Sequence, residues 1–157
     1  MYTELHTTIQ NSIDLIREVY DEISSEAHEW VEKDLYNRGW DTIFLVDKQK
    51  IIRSTRLDPL IDGMINCAFS ILRPGCMLKP HRGYDDYADH VWRSHLCLYS
   101  SADAGINVNG KDTMFEPGTF FTFDDTQLHY AWNHGKTDRV NFMYDTVRDG
   151  HTIKVMR

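Results

Sequence analysis

The sequence predicts a mainly β domain of the α+β class, a β-sandwich or barrel that follows N-terminal helices. Its 157 residues fall within the usual size of one domain, and 41% hydrophobic with 26% charged residues suits a globular core. Apolar side chains recur every three or four positions near the N-terminus, whereas short β-branched and aromatic runs follow residue 39. We therefore expect a single domain over residues 1–157, with a helical segment at about 4–35 and a β-barrel core at about 40–150.

The N-terminal segment has helical periodicity. Its apolar positions, with acids and amides between them, are Leu5, Ile9, Ile13, Ile16, Tyr20, Ile23, Ala27, Trp30 and Val31. We expect the pair Ser24-Ser25 to divide this segment into two helices, because serine disfavours a helix interior and caps a new start. The pattern predicts a packing role for these helices.

The rest of the sequence predicts short strands. The predicted strands are Thr42 to Val46, Cys67 to Leu72, Arg93 to Tyr99, Ile106 to Asn109, Thr119 to Phe123 and Val140 to Val147. Residues 107–111 and 133–136 contain Asn and Gly in the order typical of hairpin turns. Many short strands at close spacing predict a sandwich or barrel.

Charge and composition argue against several classes of function. A net charge of -7 without a Lys/Arg run argues against a nucleic-acid partner. No apolar run approaches the roughly 18 residues of a membrane span, and the first residues do not resemble a leader, so we expect a cytoplasmic protein without a membrane partner. The cysteines Cys67, Cys76 and Cys97 lack CxxC spacing and predict reduced thiols.

Two strand segments predict polar side chains that share a face. If the chain reverses around His134-Gly135 through an odd-length turn, His129 faces Arg139 across a hairpin. Arg93 and His95 lie two apart on one strand and point the same way. Two interpretations of that pair stand side by side: the face meets solvent, or it is buried and an anion or metal satisfies it.

Histidines are the candidate metal ligands. His81 follows the stiffening Lys79-Pro80, and imidazoles suit iron, zinc, copper or nickel. In two-His-one-carboxylate iron sites the carboxylate commonly follows the first histidine by two residues, and here that residue is Gly83. Water would then fill the position, or an acid of the following loop would reach it; the acids in question are Asp85, Asp86 and Asp89.

The remaining acids near the second histidine have two interpretations. Asp124 and Asp125 precede His129 by five and four positions, so one of them could orient an imidazole. The alternative is a turn acid with a local hydrogen bond. Five other histidines are expected to be ordinary packed or solvated residues: His6, His28, His90, His134 and His151.

The spaced motifs together resemble a known family. The matching run comprises Phe69-Ser70, Pro74-Gly75, Pro80-His81-x-Gly83, Arg93-x-His95-Leu96, Phe123-Asp124-Asp125, His129, Ala131-Trp132-Asn133 and Arg139. Over about residues 68–145 this order resembles the aspartyl/asparaginyl β-hydroxylase family of Fe(II)- and 2-oxoglutarate-dependent oxygenases. The resemblance implies a double-stranded β-helix, that is, a cupin-like jelly roll.

The resemblance also implies roles for single residues. His81 and His129 would hold Fe(II) without a carboxylate ligand, which is consistent with Gly83. Arg139 would bind the distal carboxylate of 2-oxoglutarate, with Ser70 hydrogen-bonded to it. The pocket toward co-substrate or substrate would be lined by Arg93 and His95.

The expected function is a dioxygenase that consumes O2 and 2-oxoglutarate and hydroxylates an unactivated C–H bond. The substrate would be a small molecule, such as an amino-acid-like one, or a peptide side chain. Three alternatives remain: a halogenating variant that binds halide at the position left by Gly83, a non-catalytic barrel that binds metal and 2-oxoglutarate, and a zinc-dependent hydrolase or isomerase.

Overall fold

The computed structural model describes residues 2–83 and 88–148. In this part of the chain the architecture is mainly β, as predicted. Its strands are β1 (His28–Glu29), β2 (Trp40–Asp47), β3 (Lys50–Ile51), β4 (Asn66–Leu72), β5 (Val91–Tyr99), β6 (Ala104–Val108), β7 (Lys111–Met114), β8 (Phe120–Phe123), β9 (His129–Asn133) and β10 (Arg139–Val147).

The strands form two antiparallel sheets. The larger sheet has the order β1-β2-β4-β10-β5-β8, with β3 paired to β2, and the smaller one has the order β7-β6-β9. Both sheets contribute to one hydrophobic cluster, the larger through Trp40, Leu72 and Phe123 and the smaller through Ile106 and Ala131. The two sheets therefore pack face to face as a jelly roll.

Two helices cover the other face of the larger sheet. α1 spans Tyr2–Asn11 and α2 spans Ile13–Ile23, and a short α3 follows at Asp58–Ile61. Buried side chains of α2 join a second cluster with residues of β2, β4 and β10; its members include Ile16, Val19, Ile43, Leu45, Phe69 and Phe142. The helices are a packing layer, and none in the described ranges is long and apolar enough to cross a membrane.

The predicted extent of the helical segment was wrong. The break lies at Ser12, between α1 and α2, and α2 ends where Ser24 begins a single 3-10 turn. Beyond this point the chain is extended through β1 and Trp30, whose backbone N–H donates to the carbonyl of Trp40 at 2.8 Å, and a second 3-10 turn follows at Lys33–Leu35. The two indoles stack with their centroids 4.7 Å apart, so a tertiary contact overrides the helical spacing.

The predicted turn over residues 107–111 is confirmed. Val108 of β6 pairs with Lys111 of β7, and the two residues between them have positive φ, 50° at Asn109 and 89° at Gly110. This is the conformation of a tight hairpin turn, which Asn and Gly adopt at low cost.

The predicted hairpin around His134-Gly135 was wrong. β9 pairs with β6, whereas β10 pairs with β4 and β5, so the strands on either side of the turn belong to different sheets. His129 and Arg139 are not cross-strand neighbours. The connection between β9 and β10 is held by the buried side-chain amide of Asn133. This amide donates to the carbonyls of Leu72 at 2.8 Å and Thr137 at 2.9 Å.

Candidate active site

Two histidines from distant parts of the sequence lie side by side at the mouth of the jelly roll. The backbone N–H of His81 donates to the carbonyl of His129 at 2.9 Å, and the reciprocal bond is 3.0 Å long. Their ring centroids are 4.4 Å apart. The bridge therefore places both imidazoles in one small volume, as the sequence predicted.

Hydrogen bonds to Nδ1 of both histidines favour the tautomer that a metal ligand requires. Nδ1 of His81 lies 2.6 Å from the carbonyl of Lys79, and Nδ1 of His129 lies 2.7 Å from the carbonyl of Gln127. Because a carbonyl only accepts, each Nδ1 carries a hydrogen, and in the neutral imidazole this leaves the lone pair on Nε2. Burial also lowers the pKa of His129, although Gln127 and Asp125 act to raise it, so the neutral imidazole is favoured.

Arg139 supplies a fully buried positive charge. The residue is 2% exposed, and its Nη2 donates to the carbonyl and to Oγ of Ser70, both at 3.0 Å. Its Nε has no hydrogen-bond partner, and in the described ranges no carboxylate pairs with the guanidinium. Burial lowers the pKa of Arg139 to about 10, so the group remains charged at neutral pH. A buried charge in this state needs an anion.

Ser70 is ready to donate a hydrogen bond. Its Oγ accepts from Arg139 and from Nε1 of Trp40, which lies 3.1 Å away. With both acceptor positions in use, the hydroxyl hydrogen is available to an incoming acceptor. The guanidinium and the hydroxyl thus form a pair of donors that suits one carboxylate.

All six of the predicted site residues line one inner cavity of about 50 Å³; they are Ser70, His81, Arg93, His95, His129 and Arg139. A wider cavity of about 180 Å³ adjoins it and shares His81, Arg93 and Trp40 with it. Trp30 and Leu35 line this outer cavity and do not line the inner one. The structure therefore brings these six residues together around one cavity.

The face that carries Arg93 and His95 is interior, so the interpretation that it meets solvent was wrong. Nε and Nη2 of Arg93 donate to the two carboxylate oxygens of Asp145 at 2.9 and 3.0 Å, and Nη1 donates to Asp125 at 3.1 Å. Sequence reasoning missed Asp145. The sequence contains a signal for it. Asp145 lies an even number of residues after Arg139 on the same strand, so the two side chains point to the same face of the sheet.

His95 is a neutral donor in the cavity. It is 7% exposed, and the side-chain amide of Asn141 donates to its Nδ1 at 3.1 Å, which leaves the hydrogen on Nε2. Burial holds the pKa of His95 well below its usual value, and the charges of Arg139 and Arg93 lower it further. The imidazole is therefore uncharged over the physiological range.

Of the two acids before His129, one faces the site. Asp124 accepts hydrogen bonds from the backbone N–H and hydroxyl of Thr126 and pairs with Arg148, so it is a turn residue. Asp125 is 4% exposed, and its Oδ1 lies 3.3 Å from Nε2 of His129. The turn interpretation is therefore right for Asp124. Asp125 does not orient the ring of His129, because it lies beside Nε2, whereas Nδ1 is bonded to the carbonyl of Gln127.

The other candidate acids do not reach the histidines in the described ranges. The side chain of Asp89 is 72% exposed and bonds to His90, while Asp85 and Asp86 lie outside the described residues. Residues 2–83 and 88–148 contain no compact group of three His, Cys, Asp or Glu side chains arranged around a metal position. The donor set that fits a metal here is the pair of Nε2 atoms of His81 and His129, beside the carboxylate of Asp125.

The fold and the cavity define the class of protein: a cupin-like double-stranded β-helix with two histidines and a buried arginine around one cavity. The profile of the aspartyl/asparaginyl beta-hydroxylase family matches residues 4–149. The chain belongs to this family, as its motifs predicted.

One relative by sequence and two proteins of similar structure are compared with this chain. The chain is 35% identical over 92 residues to the ornithine lipid ester-linked acyl 2-hydroxylase of Rhizobium tropici, a match that covers 56% of this chain and 31% of that protein. A prolyl-4-hydroxylase of Pseudomonas putida has a similar structure, with a TM-score of 0.58, 14% identity and 88% of each chain covered. A predicted oxalate decarboxylase of Thermotoga maritima matches with a TM-score of 0.57 and 15% identity over 78% of this chain and 92% of that one. At these identities the structural likeness shows the jelly-roll fold alone.

Proposed function

We propose that this protein is an Fe(II)- and 2-oxoglutarate-dependent hydroxylase. The observation that supports the proposal most directly is the buried guanidinium of Arg139, which has no carboxylate partner in the described ranges and lines the same cavity as the two histidines. His81 and His129 suit a metal, and Arg139 and Ser70 suit a carboxylate. 2-Oxoglutarate matches both, because its keto acid chelates a metal and its distal carboxylate can bind the two donors.

The residues of the chain bind and orient the co-substrate. Arg139 and the hydroxyl of Ser70 hold the distal carboxylate of 2-oxoglutarate, and the Nε2–H of His95 is a donor for its other end. His81 and His129 would hold iron, which would supply the redox chemistry that couples oxidation of 2-oxoglutarate to succinate and CO2 with insertion of one oxygen atom of O2 into a C–H bond. Apolar walls that include Leu78, Ile106 and Phe123 keep water from the reacting atoms.

The substrate reaches the outer cavity, so its class follows from the surface there. Trp30, Leu35 and Met143 make much of this lining apolar. Trp30 also lines a larger neighbouring groove of about 770 Å³, together with the exposed side chains of Val31 and Ile52. We propose that the substrate is a small molecule with an aliphatic chain, such as the acyl chain on which the named relative acts; a peptide side chain is the alternative.

Substitutions in the groove test the substrate class. We expect Trp30→Ala and Val31→Ser to raise KM for acyl-chain substrates by about three- to tenfold, because each removes apolar contact area. Met77→Ser is the matched control, since Met77 is an exposed apolar residue away from the cavities. If KM in Trp30→Ala and Val31→Ser equals KM in the control Met77→Ser, this result would contradict the acyl-chain proposal and favour a peptide.

Turnover of 2-oxoglutarate tests the function itself. The anaerobically loaded Fe(II) protein should bind 2-oxoglutarate and, on addition of O2 and a substrate, form succinate and a product heavier by one oxygen atom. Arg139→Met keeps the bulk of the side chain without the charge and should abolish 2-oxoglutarate binding, whereas the surface variant Arg56→Met should not. Binding of 2-oxoglutarate without O2 uptake across a broad substrate panel would favour the non-catalytic candidate.

A further inference from the structure

Gly83 and Asp125 compete for the same space. The backbone N–H of Gly83 donates to the carbonyl of Asp125 at 2.8 Å, so the two residues are adjacent across the site. A Cβ built on Gly83 would lie 2.0 Å from Oδ2 of Asp125 and 2.9 Å from its Cγ. The carboxylate of Asp125 therefore already fills the volume that a side chain at position 83 would need.

The carboxylate is fixed in this place. Asp125 is 4% exposed, its Oδ1 accepts from Nη1 of Arg93 at 3.1 Å, and the same oxygen lies 3.3 Å from Nε2 of His129. Arg93 is itself held by both oxygens of Asp145. Burial and the hydrogen bond from Arg93 hold the carboxylate in this position.

Carboxylates outnumber guanidinium groups among the described residues of this network. The guanidinium of Arg93 pairs with two carboxylates, those of Asp125 and Asp145. A divalent metal at the two histidines would attract a mobile anion, and the carboxylate of Asp125 would oppose that attraction at close range on the side of Gly83.

We propose that Asp125 is a specificity-determining residue, whose carboxylate takes the place of the absent ligand at position 83 and keeps chloride and similar anions away from the metal. This proposal rests on the proposed function and deepens it. The absence of a side chain at Gly83 does not open a halide position, because the volume and the charge of Asp125 both oppose halide. The reaction therefore ends in hydroxylation and not in halide transfer.

Anion binding to the Co(II)-loaded protein tests the proposal without turnover. Azide and chloride are titrated against the visible absorption bands of the metal in the wild type, in Asp125→Asn and in Asp125→Ala. Asp125→Asn removes the charge and keeps the volume, whereas Asp125→Ala removes both. We expect azide to bind at least about tenfold more tightly to Asp125→Asn, and more tightly still to Asp125→Ala, because like-charge repulsion is strong at short range in a poorly solvated cavity.

Two further variants sharpen the test. Asp124→Asn changes the neighbouring turn acid and should leave azide affinity at the wild-type value. The exchange variant Asp125→Gly/Gly83→Asp returns a carboxylate to the same space from the other side and should restore exclusion of azide. If Asp125→Ala does not fold, as judged by circular dichroism, Asp125→Asn decides the outcome.

The outcomes separate this inference from the proposed function. If the wild type does not bind Co(II) in a one-to-one ratio, the metal site of the proposed function fails. If it binds Co(II), and azide affinity is the same in the wild type and in Asp125→Asn, the role of Asp125 is overturned while the metal site stands. Product mass spectra in chloride provide a second readout: a chlorinated product from the wild type would also overturn the inference.

Discussion

His81 and His129 are joined by two reciprocal backbone hydrogen bonds of 2.9 and 3.0 Å, outside the main ladders of either sheet. Antiparallel partners that face each other directly project their side chains to the same side of the pair. This isolated bridge brings the two imidazoles to a centroid distance of 4.4 Å, and it does so independently of the turn that follows β9.

Loss of either bridge histidine should remove metal binding. We expect His81→Ala and His129→Ala to weaken Co(II) binding at least about 100-fold, because each removes one of two imidazole donors. Isothermal titration of metal-free protein measures the affinity. His134→Ala is the control, since His134 is exposed and pairs with Asp103 away from the cavity. Wild-type affinity in His81→Ala would rule out the assigned metal pair.

Ser70 should contribute measurably to co-substrate affinity. Ser70→Ala removes the hydroxyl that accepts from Arg139 and Trp40, and it should weaken 2-oxoglutarate binding by about three- to tenfold, the usual effect of one hydrogen bond. Titration of the anaerobic Fe(II) protein with 2-oxoglutarate measures the change. Metal affinity should not change, because Ser70 does not belong to the histidine pair. An unchanged 2-oxoglutarate affinity would show that the hydroxyl does not touch the co-substrate.

The stability of the metal-free protein should fall at mildly acidic pH. Burial, aided by Arg139 and Arg93, holds the pKa of His95 well below its usual value in the folded protein. As the pH falls below about 6.5 the unfolded chain takes up a proton that the folded chain does not, so stability is lost by up to about 1.4 kcal/mol per pH unit for this residue.

Urea unfolding at several values between about pH 7.5 and pH 5.5 measures this loss. His95→Gln cannot titrate and should flatten the pH dependence. It should not abolish the dependence, because burial also lowers the pKa of His129. A slope in His95→Gln equal to that of the wild type would contradict the prediction.

Asn133 should be important for stability. Its amide donates to Leu72 and Thr137, and its oxygen accepts from the hydroxyl of Ser101 at 2.6 Å and from the backbone N–H of Gly135 at 3.0 Å. We expect Asn133→Ala to lower the free energy of unfolding by about 2–4 kcal/mol, because several buried polar groups lose their partner.

Thermal unfolding followed by circular dichroism measures this effect. The matched control is Asn107→Ala, which removes a hydrogen bond to Asp112 near the exposed 107–111 turn and should change stability by less than about 1 kcal/mol. Equal losses in the two asparagine variants would mean that Asn133 does not anchor the connection between β9 and β10.

The sequence by itself determined the class of fold and the residue types at the candidate site. Alternation along a strand and the residue types of a turn are local properties, so the pairs Arg93 with His95 and Asn109 with Gly110 were sufficient to predict a shared face and a tight turn. The family resemblance carried by the spaced motifs also selected six of the side chains that line the inner cavity. Residue type and short-range spacing are sufficient for the shared face and the turn, because each depends on a few neighbouring residues, whereas the site residues came from the family resemblance.

Only the tertiary structure decided which of these side chains meet, and how. The pairing of β9 with β6, and not with β10, depends on long-range register, which no local pattern specifies. Trp30 is not helical, although its spacing fits a helix, because its indole stacks on that of Trp40. The carboxylate of Asp125 occupies the space beside Gly83 because two distant segments converge there, and the size and charge of a shared volume exist only after the chain has folded.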